Sequence, residues 1–285
     1  MSHRRAAAPP RPPLRPRTNW RVYATVVALV TALGAVLAVT TRRAPPAGVR
    51  GGNASARALR AETVHTYPHD PEAFTQGLVL DGSVLYESTG LEGRSSLRRV
   101  DLQTGRVLAM TRLPDEVFGE GLAQLPGTLI QLTWKHGMAL LYDPQTLALQ
   151  RRVPYRGEGW GLCYDGASVV MSDGSDRLTW RRPDTFEIQR TAQVTLDGSP
   201  LDKLNELECV NGNVYANVWH TDMIVHVDAA SGRVIDRIDA SGLFASDQRE
   251  AVLNGIAHDP ADGLFYITGK LWPRLFKVRF VSAPA

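Results

Sequence analysis

The sequence is poor in cysteine and contains no motif of the kind that binds zinc. Only Cys163 and Cys209 occur in 285 residues, and no CxxC or HExxH string is present. This excludes the zinc sites that depend on such spacings, and we predict no metal-ligating residues. The two cysteines could pair in an exported protein or remain as buried thiols, and their number alone does not decide between these states.

Aspartate and glutamate are missing altogether from residues 1–60, which conceals the acidity of the remainder. The whole chain has 32 basic and 29 acidic residues, a net charge of +3, but 11 of the arginines precede residue 61. Residues 61–285 therefore carry 21 basic and 29 acidic residues, a net charge of −8. Because phosphate binding requires a basic face on the domain itself, we predict no nucleic-acid partner.

Long hydrophobic runs are also missing, apart from one near the N-terminus. Residues 22–40 are uncharged and mostly apolar, close to the roughly 20 residues of a membrane-spanning helix and longer than the 7–15 or so of a signal peptide. We predict a signal-anchor, after an Arg/Pro-rich cytoplasmic tail (1–21) and before a linker (41–60). The arginines that precede the run place residues 61–285 outside the cytoplasm. Cleavage after the run would instead give a secreted protein.

Beyond residue 61 the sequence has no amphipathic helical period, and short β-rich segments alternate with turns. One unit recurs, and its turn aspartates, Asp101, Asp143, Asp184 and Asp228, lie 42, 41 and 44 residues apart. Such a period, about 40–45 residues, is typical of the blades of a β-propeller. We count five units, the last incomplete, and expect an N-terminal strand near 62–67 to complete it. The prediction is an all-β, five-bladed β-propeller over 61–285, preceded by a transmembrane or signal helix.

Polar and aromatic residues beside glycines recur where the innermost strand of each unit begins or where a strand ends. Loops at one mouth of a propeller commonly form its site, so these residues are the candidates for one shared site. Glycine on both sides of Glu120 leads us to expect close approach of a substrate backbone. The candidates are Phe74, Gln76, Phe118, Glu120, Trp134, Trp160, Asn205, Trp219 and Lys270.

Several uncommon strings occur together and in order over about residues 62–280. The chain resembles the plant and bacterial, zinc-independent type of glutaminyl-peptide cyclotransferase, typified by the papaya latex enzyme. The strings that carry the resemblance are FTQGL, LYESTG, GRSSLR, FGEGL, QLTWK, GWGL, MSDGS, LNELE, VYANVW, LNGIAHDP and TGKLWP.

The resemblance implies a five-bladed propeller that converts the N-terminal glutamine of peptides or proteins to pyroglutamate with release of ammonia. It also implies a pocket built from the nine candidates, all of which have the residue type of the family. No cofactor is expected, although a structural calcium, as in the papaya enzyme, is possible by resemblance. We could place no calcium ligands in the sequence.

The chemistry of cyclisation suggests a role for each candidate. Glu120 could move a proton from the α-amine to the leaving nitrogen, with a pKa raised by apolar neighbours. Asn205 and Lys270 could donate to the oxyanion, and Gln76 could bind the substrate amide. The aromatic residues would form a box that favours cyclisation over hydrolysis. We expect the neighbouring acids Glu206 and Glu208 to make structural contacts rather than to take part in the chemistry.

Two other classes of function remain open from the sequence. One is a calcium-dependent, lactonase-type propeller hydrolase, which would need converging acidic ligands and commonly six blades. The other is a non-catalytic propeller that only binds peptides. We expect the protein to be a monomer.

Overall fold

The computed structural model describes residues 55–284. In that range all regular secondary structure is β, with 22 strands and no helix, and the prediction of an all-β fold is confirmed. Among the described residues no helix is long and apolar enough to cross a membrane. The predicted tail (1–21), the predicted signal-anchor (22–40) and most of the predicted linker (41–60) lie outside the described residues.

Three separate sheets each contain four antiparallel strands in sequence order. The first contains β2 (Thr75–Asp81), β3 (Val84–Thr89), β4 (Ser96–Asp101) and β5 (Val107–Arg112). The second contains β6 (Gly119–Leu125), β7 (Thr128–Thr133), β8 (Met138–Tyr142) and β9 (Leu149–Pro154). The third contains β10 (Leu162–Tyr164), β11 (Val169–Ser172), β12 (Arg177–Arg181) and β13 (Ile188–Gln193).

An eight-stranded sheet and a small hairpin complete the described fold. One half of the eight-stranded sheet contains β16 (Leu204–Val210), β17 (Asn213–Val218), β18 (Met223–Asp228) and β19 (Val234–Asp239). Its other half contains β20 (Leu253–Asp259), β21 (Leu264–Gly269), β22 (Arg274–Ser282) and β1 (Arg57–Pro68). The hairpin joins β14 (Thr195–Leu196) to β15 (Ser199–Pro200).

One edge strand of each set of four contacts the corresponding edge strands of the two neighbouring sets. We call these five strands, β2, β6, β10, β16 and β20, the inner strands. Contacts run from β2 to β6, β10, β16 and β20 in turn, and from β20 back to β2. The inner strands of the described chain therefore form a closed circle, and the fold is propeller-like.

The N-terminal strand closes this arrangement, as the sequence predicted. β1 pairs antiparallel with β22 along most of its length, from Leu59 opposite Ser282 to Pro68 opposite Arg274. Its first residues also pair in parallel with β19, beginning with Arg57 opposite Asp236. The strand extends further than the predicted 62–67, because this second pairing orders residues that composition alone had assigned to the linker.

The core lies between the apolar faces of neighbouring sheets rather than in one central mass. One cluster joins Val170 and Leu178 of the third sheet to Leu207, Val214 and Val225 of the eight-stranded sheet. Face-to-face packing of this kind buries the apolar side of the inner and middle strands, since alternate residues point to opposite faces, whereas the outermost strands β5 and β13 have no buried residue. The circle of inner strands is thus held by sheet-to-sheet packing.

Cys163 and Cys209 form a disulfide, which settles the alternative that the sequence left open. Cys163 is in β10 and Cys209 is in β16, with 5.4 Å between their Cα atoms. The bond links neighbouring inner strands near their C-terminal ends. It therefore reinforces one contact of the circle.

Candidate active site

The candidate residues from the sequence lie around one cavity of about 270 Å³. Leu91 and Glu250, which the sequence analysis did not single out, complete the lining. The predicted residues that line the cavity are Phe74, Gln76, Phe118, Glu120, Trp134, Trp160, Asn205, Trp219 and Lys270. The structure thus brings all nine together.

Antiparallel pairing explains why residues from distant positions converge. Gly119 at the start of β6 pairs with Thr133 at the end of β7, so the start of an inner strand lies beside the end of the next strand. Trp134 directly follows that end, and its backbone N–H donates to the carbonyl of Phe118 at 3.0 Å. Lys270 follows β21 in the same way. The repeated topology therefore delivers side chains from each set to the same mouth.

Irregular pairing in the inner strands positions the polar members of the site. The register shifts across Gln76 in β2, across Glu120 in β6 and across Asn205 in β16. A β-bulge leaves a residue outside the ladder and changes the direction of its side chain. These three polar groups can therefore point into the cavity from strands whose other side chains alternate between the faces of a sheet.

Glu120 is the buried carboxyl group of the cavity. It is 5% exposed, and its Oε1 accepts a hydrogen bond from Gln76 Nε2 at 3.0 Å. Burial raises the pKa of Glu120 well above its usual range, the charge of Lys270 opposes this rise, and the charge of Glu158 adds to it. A carboxyl group with a raised pKa is a stronger proton acceptor than an ordinary carboxylate, and once protonated it can return the proton.

Lys270 provides the buried cation. It is 4% exposed, and its Nζ lies 4.7 Å from the ring centroid of Phe74. Burial lowers the pKa of Lys270, while Glu120 and Glu250 act to raise it. Burial therefore disfavours the charged form of both Lys270 and Glu120, whereas their mutual attraction favours it.

Asn205 offers polar atoms that the described protein leaves unused. The residue is 2% exposed, and its Oδ1 is buried without a hydrogen-bond partner among the described residues. An unpaired buried polar atom costs about 1–3 kcal/mol, so a ligand group that pairs with this amide would recover that cost. The unpaired Oδ1 can accept an N–H group of a substrate, whereas donation to an oxyanion would have to come from Nδ2 of the same amide.

Aromatic rings form the remaining wall. Phe74 packs edge-on against Phe118 with 6.1 Å between centroids, and Phe118 packs against Trp134 at 5.5 Å. Trp160 and Trp219 form a second edge-on pair at 5.4 Å. This wall makes the cavity apolar and gives it a fixed shape, because edge-on aromatic pairs stabilise a defined orientation.

Glu158 organises this wall, and the sequence analysis did not identify it. Its Oε2 accepts hydrogen bonds from Trp134 Nε1 at 2.8 Å and from Trp160 Nε1 at 3.1 Å. One carboxylate oxygen therefore orients two indoles that flank different sheets, since Trp134 follows β7 and Trp160 precedes β10. The string GEGWGL contained the signal, since an acid stands two residues before a tryptophan of the site.

The glycines beside Glu120 serve the packing of the protein itself, so the expectation of substrate approach there was wrong. A Cβ on Gly119 would lie 2.8 Å from the carbonyl oxygen of Thr89. A Cβ on Gly121 would lie 2.5 Å from the backbone nitrogen of Leu162 in the next inner strand. The space beside both glycines is thus filled by neighbouring chain, which only glycine permits.

Glu206 and Glu208 make structural contacts, as predicted. The two carboxylate oxygens of Glu206 accept the backbone N–H groups of Leu78 and Ile256, which belong to two other inner strands. Glu208 accepts the N–H of His258 at 2.9 Å, and burial raises its pKa to about 8. Neither residue lines the cavity, so Glu120 is the buried carboxyl group that a ligand there would meet.

The described residues do not fit a metal site built from side chains. Between residues 55 and 284, no group of three or more histidine, cysteine, aspartate or glutamate side chains is close enough to hold an ion. A calcium ion, as suggested by the resemblance, would thus need backbone or amide carbonyl oxygens among its ligands in this range.

The fold and the site together define a class of protein: a propeller-like, all-β protein with a small aromatic cavity that contains one buried acid and one buried cation. Residues 28–280 match the model of the family described as glutamine cyclotransferase. A glutaminyl-peptide cyclotransferase from Arabidopsis thaliana is 39% identical over 238 residues, which cover 81% of this chain and 74% of that protein. The crystal structure of Myxococcus xanthus glutaminyl cyclase matches with a TM-score of 0.75 and 41% identity, covering 81% of this chain and 100% of that one.

This chain belongs to the glutamine cyclotransferase family. The resemblance inferred from the sequence strings is thereby confirmed.

Proposed function

We propose that the protein is a glutaminyl-peptide cyclotransferase, which cyclises the N-terminal glutamine of peptides or proteins to pyroglutamate and releases ammonia. The observation that carries the proposal is the burial of Glu120 and Lys270 in one small aromatic cavity. At about 270 Å³ the cavity is slightly smaller than the ~300 Å³ at which the usual range of ligand pockets begins. It suits a single terminal residue better than an extended ligand.

The reaction forms one bond and breaks another. The α-amine nitrogen attacks the γ-amide carbon, a tetrahedral oxyanion forms, and the bond from that carbon to the amide nitrogen then breaks. The proton lost by the amine must reach the departing nitrogen, which leaves as ammonia. The products are pyroglutamyl peptide and ammonia, and no other reactant is consumed.

Glu120 is the proposed carrier of that proton. Its raised pKa suits a group that accepts a proton from the amine and delivers it to the leaving nitrogen. Its hydrogen bond with Gln76 uses Oε1, which leaves Oε2 for the reacting groups. General acid–base catalysis of this kind contributes about 10²–10⁴-fold in rate.

Asn205 and Lys270 are the proposed donors to the oxyanion. Both are buried at the cavity, so their interactions with developing charge are screened weakly by solvent. The rings of Phe74, Phe118, Trp134, Trp160 and Trp219 are proposed to fold the side chain of glutamine and to exclude water, which favours attack by the amine over hydrolysis. Gln76 is proposed to contact the substrate amide with its remaining N–H.

For the architecture we propose a five-bladed propeller. The circle of five inner strands supports this count, because the eight-stranded sheet divides into two sets of four. We further propose, from the sequence alone, that residues 22–40 anchor the protein in a membrane with the catalytic domain outside the cytoplasm, or that cleavage after them releases it. The enzyme is proposed to act as a monomer without zinc or another cofactor and without nucleic acid.

The test is ammonia release by the purified full chain from a peptide that begins with glutamine. Mass spectrometry of the same samples reports the pyroglutamyl product. The control peptide has the same sequence with an acetylated N-terminus, which cannot attack. Release from the free peptide alone is the expected result, whereas tight binding without ammonia would show a peptide-binding protein and contradict the proposal.

A further inference from the structure

Asn254 occupies the same position in its inner strand as the polar residues of the site occupy in theirs. The register of β20 shifts across Asn254, between Leu253 and Ile256, as it does across Gln76 in β2 and Glu120 in β6. Asn254 is fully buried and does not line the cavity. The strings QGL, EGL and NGI show the correspondence in the sequence.

A chain of hydrogen bonds joins Asn254 to the buried acid. Asn254 Nδ2 donates to the backbone carbonyl of Thr75 at 2.9 Å and to Gln76 Oε1 at 3.0 Å. Gln76 Nε2 then donates to Glu120 Oε1 at 3.0 Å. Two buried amides thus connect a backbone carbonyl to the carboxyl group.

The direction of this chain is determined at its first member. A backbone carbonyl can only accept, so the atom of Asn254 that faces Thr75 must be the amide nitrogen. The atom of Gln76 that faces this nitrogen must then be its oxygen, and the nitrogen of Gln76 must face Glu120. Asn254 therefore determines that Glu120 Oε1 receives a hydrogen bond.

The remaining polar atom of Asn254 is unpaired within residues 55–284. Its Oδ1 is buried without a partner among the described residues. Such an atom costs about 1–3 kcal/mol, but an apolar side chain at this position would leave the Thr75 carbonyl and Gln76 Oε1 without their donor. Asn254 thus donates both of its amide N–H groups, while its Oδ1 accepts no hydrogen bond from the described residues.

We propose that Asn254 is a positioning residue for cyclisation: it holds the amide of Gln76 with its N–H toward Glu120 Oε1, so that the transferable proton resides on Oε2. This inference rests on the proposed function. Because Oε1 already receives a hydrogen bond, a proton on Glu120 is directed to the oxygen that is free to meet the substrate. The other ionisable groups that act on Glu120 or face it are Lys270, Glu158 and Tyr155.

The test substitutes Asn254→Leu in the full chain and measures kcat/KM for a glutamine-initiated peptide against pH. Without Asn254, nothing holds the amide of Gln76 in the orientation in which its N–H donates to Glu120. The ionised carboxylate then loses a hydrogen bond, so the pKa of Glu120 rises. We expect the acid limb of the profile to move up by about half a pH unit or more, which lowers kcat/KM on that limb by about threefold or more. An unmoved acid limb would overturn the proposal.

Asn217→Leu is the matched control. Asn217 is also fully buried, and its Oδ1 accepts the backbone N–H of Gly255, beside Asn254 in β20. It has no hydrogen bond with Gln76, so this substitution should lower the melting temperature without moving the acid limb. Equal shifts in both variants would assign the effect of Asn254→Leu to general damage and contradict the proposal.

A double-mutant cycle tests whether Asn254 acts through Gln76. In a Gln76→Leu background, Asn254→Leu should move the acid limb no further, whereas additive shifts would contradict the proposal. Asn254→Ser replaces Asn254→Leu in the cycle if the latter does not fold, because one hydroxyl proton cannot serve both acceptors.

Titration of the carboxyl ¹³C signal of Glu120, assigned with Glu120→Gln, gives a readout without substrate. A higher midpoint in Asn254→Leu than in the wild type is expected, and equal midpoints would sink the proposal. If the wild type releases no ammonia, the proposed function fails while this titration still decides whether the hydrogen-bond chain acts on Glu120.

Discussion

At the scale of single residues, the cavity combines groups on which burial and charge act in opposite directions. Burial raises the pKa of Glu120 and lowers that of Lys270, so it drives both toward their neutral forms. Their attraction favours the charged pair instead. The protonation states of Glu120 and Lys270 are therefore coupled, so a change at one residue alters the pKa of the other.

Lys270→Met should move the pH dependence of catalysis upward. The charge of Lys270 holds down the pKa of Glu120, so its removal raises that pKa. Cyclisation requires that Glu120 and the substrate amine together carry one transferable proton. Below the pKa of Glu120 both groups are protonated, so Glu120 cannot accept the proton of the amine and the reaction stops. The acid limb of kcat/KM should thus shift to higher pH, with a loss of about 10²–10³-fold from the missing oxyanion donor.

Lys135→Met is the control for this variant. Lys135 lies 3.9 Å from the ring centroid of Trp134 and does not line the cavity. It should leave the acid limb in place. If Lys270→Met also left the limb in place, the proposed electrostatic coupling would be refuted.

Glu158→Ala should weaken substrate binding by releasing the indoles of Trp134 and Trp160. The expected result in steady-state kinetics is a several-fold rise in KM with a smaller change in kcat, because the wall contacts the substrate throughout the reaction. Glu158→Gln retains an oxygen that can accept both N–H groups and should stay near the wild-type KM. Equal KM values for the two variants would refute the positioning role.

At the scale of elements, the inner strands carry both the packing and the site. Close approach of neighbouring inner strands is permitted by Gly121 in β6, and irregular pairing in β2, β6 and β16 turns a polar residue toward the cavity. The glycines beside Glu120 are evident in the sequence, but the sequence does not show why glycine is required there. The pattern EGL is equally compatible with an approaching substrate and an approaching strand, and only the position of Leu162 in the next strand decides between them.

Replacing both Cys163 and Cys209 by alanine should lower stability and leave catalysis intact. The disulfide closes a loop of 46 residues, for which constraint of the unfolded chain typically contributes about 2–4 kcal/mol. Neither cysteine lines the cavity. Chemical denaturation should show the loss, and kcat/KM at 25 °C should stay within about twofold of the wild type. A large loss of activity in the folded variant would show that the disulfide also shapes the site.

At the scale of the whole molecule, closure depends on the join between β1 and its two neighbours. Asp236 in β19 accepts Arg57 Nε at 2.6 Å, and its other oxygen lies 2.6 Å from His226 Nδ1. Burial opposes ionisation of Asp236, but these two partners outweigh it and hold its pKa below the usual value. The ion pair thus links β1, the first strand of the described chain, to β19, which lies about 180 residues later in the sequence.

Asp236→Asn should reduce the free energy of unfolding by about 1 kcal/mol near neutral pH. The loss is small because the Arg57 side chain is largely exposed, and solvent screens an exposed ion pair. A carboxyl group with a lowered folded-state pKa stabilises the fold above its unfolded pKa of about 3.9, and this contribution is lost as the pH falls through the folded-state pKa. The difference between wild type and variant should therefore shrink below about pH 4. Denaturation curves at several pH values check this, and a constant difference down to pH 2 would contradict it.

Much of the architecture could be predicted because the repeats are regular. Turn aspartates about 42 residues apart revealed the sets of strands, and the incomplete last unit indicated that an N-terminal strand completes it. The early start of β1 at Arg57 could not be predicted, because it depends on pairing with β19 in a distant part of the chain. Asn254 and Glu158 were missed for a similar reason: they act through hydrogen bonds to other site residues, which leave little local pattern.

The most direct test of the account is ammonia release by purified wild type and Glu120→Gln, measured side by side on one glutamine-initiated peptide. Glutamine at position 120 preserves the size of the side chain but cannot carry a proton between the amine and the leaving nitrogen. The account predicts efficient release by the wild type and a loss of about 10²–10⁴-fold in a variant that folds normally. Near-normal turnover by Glu120→Gln would contradict it.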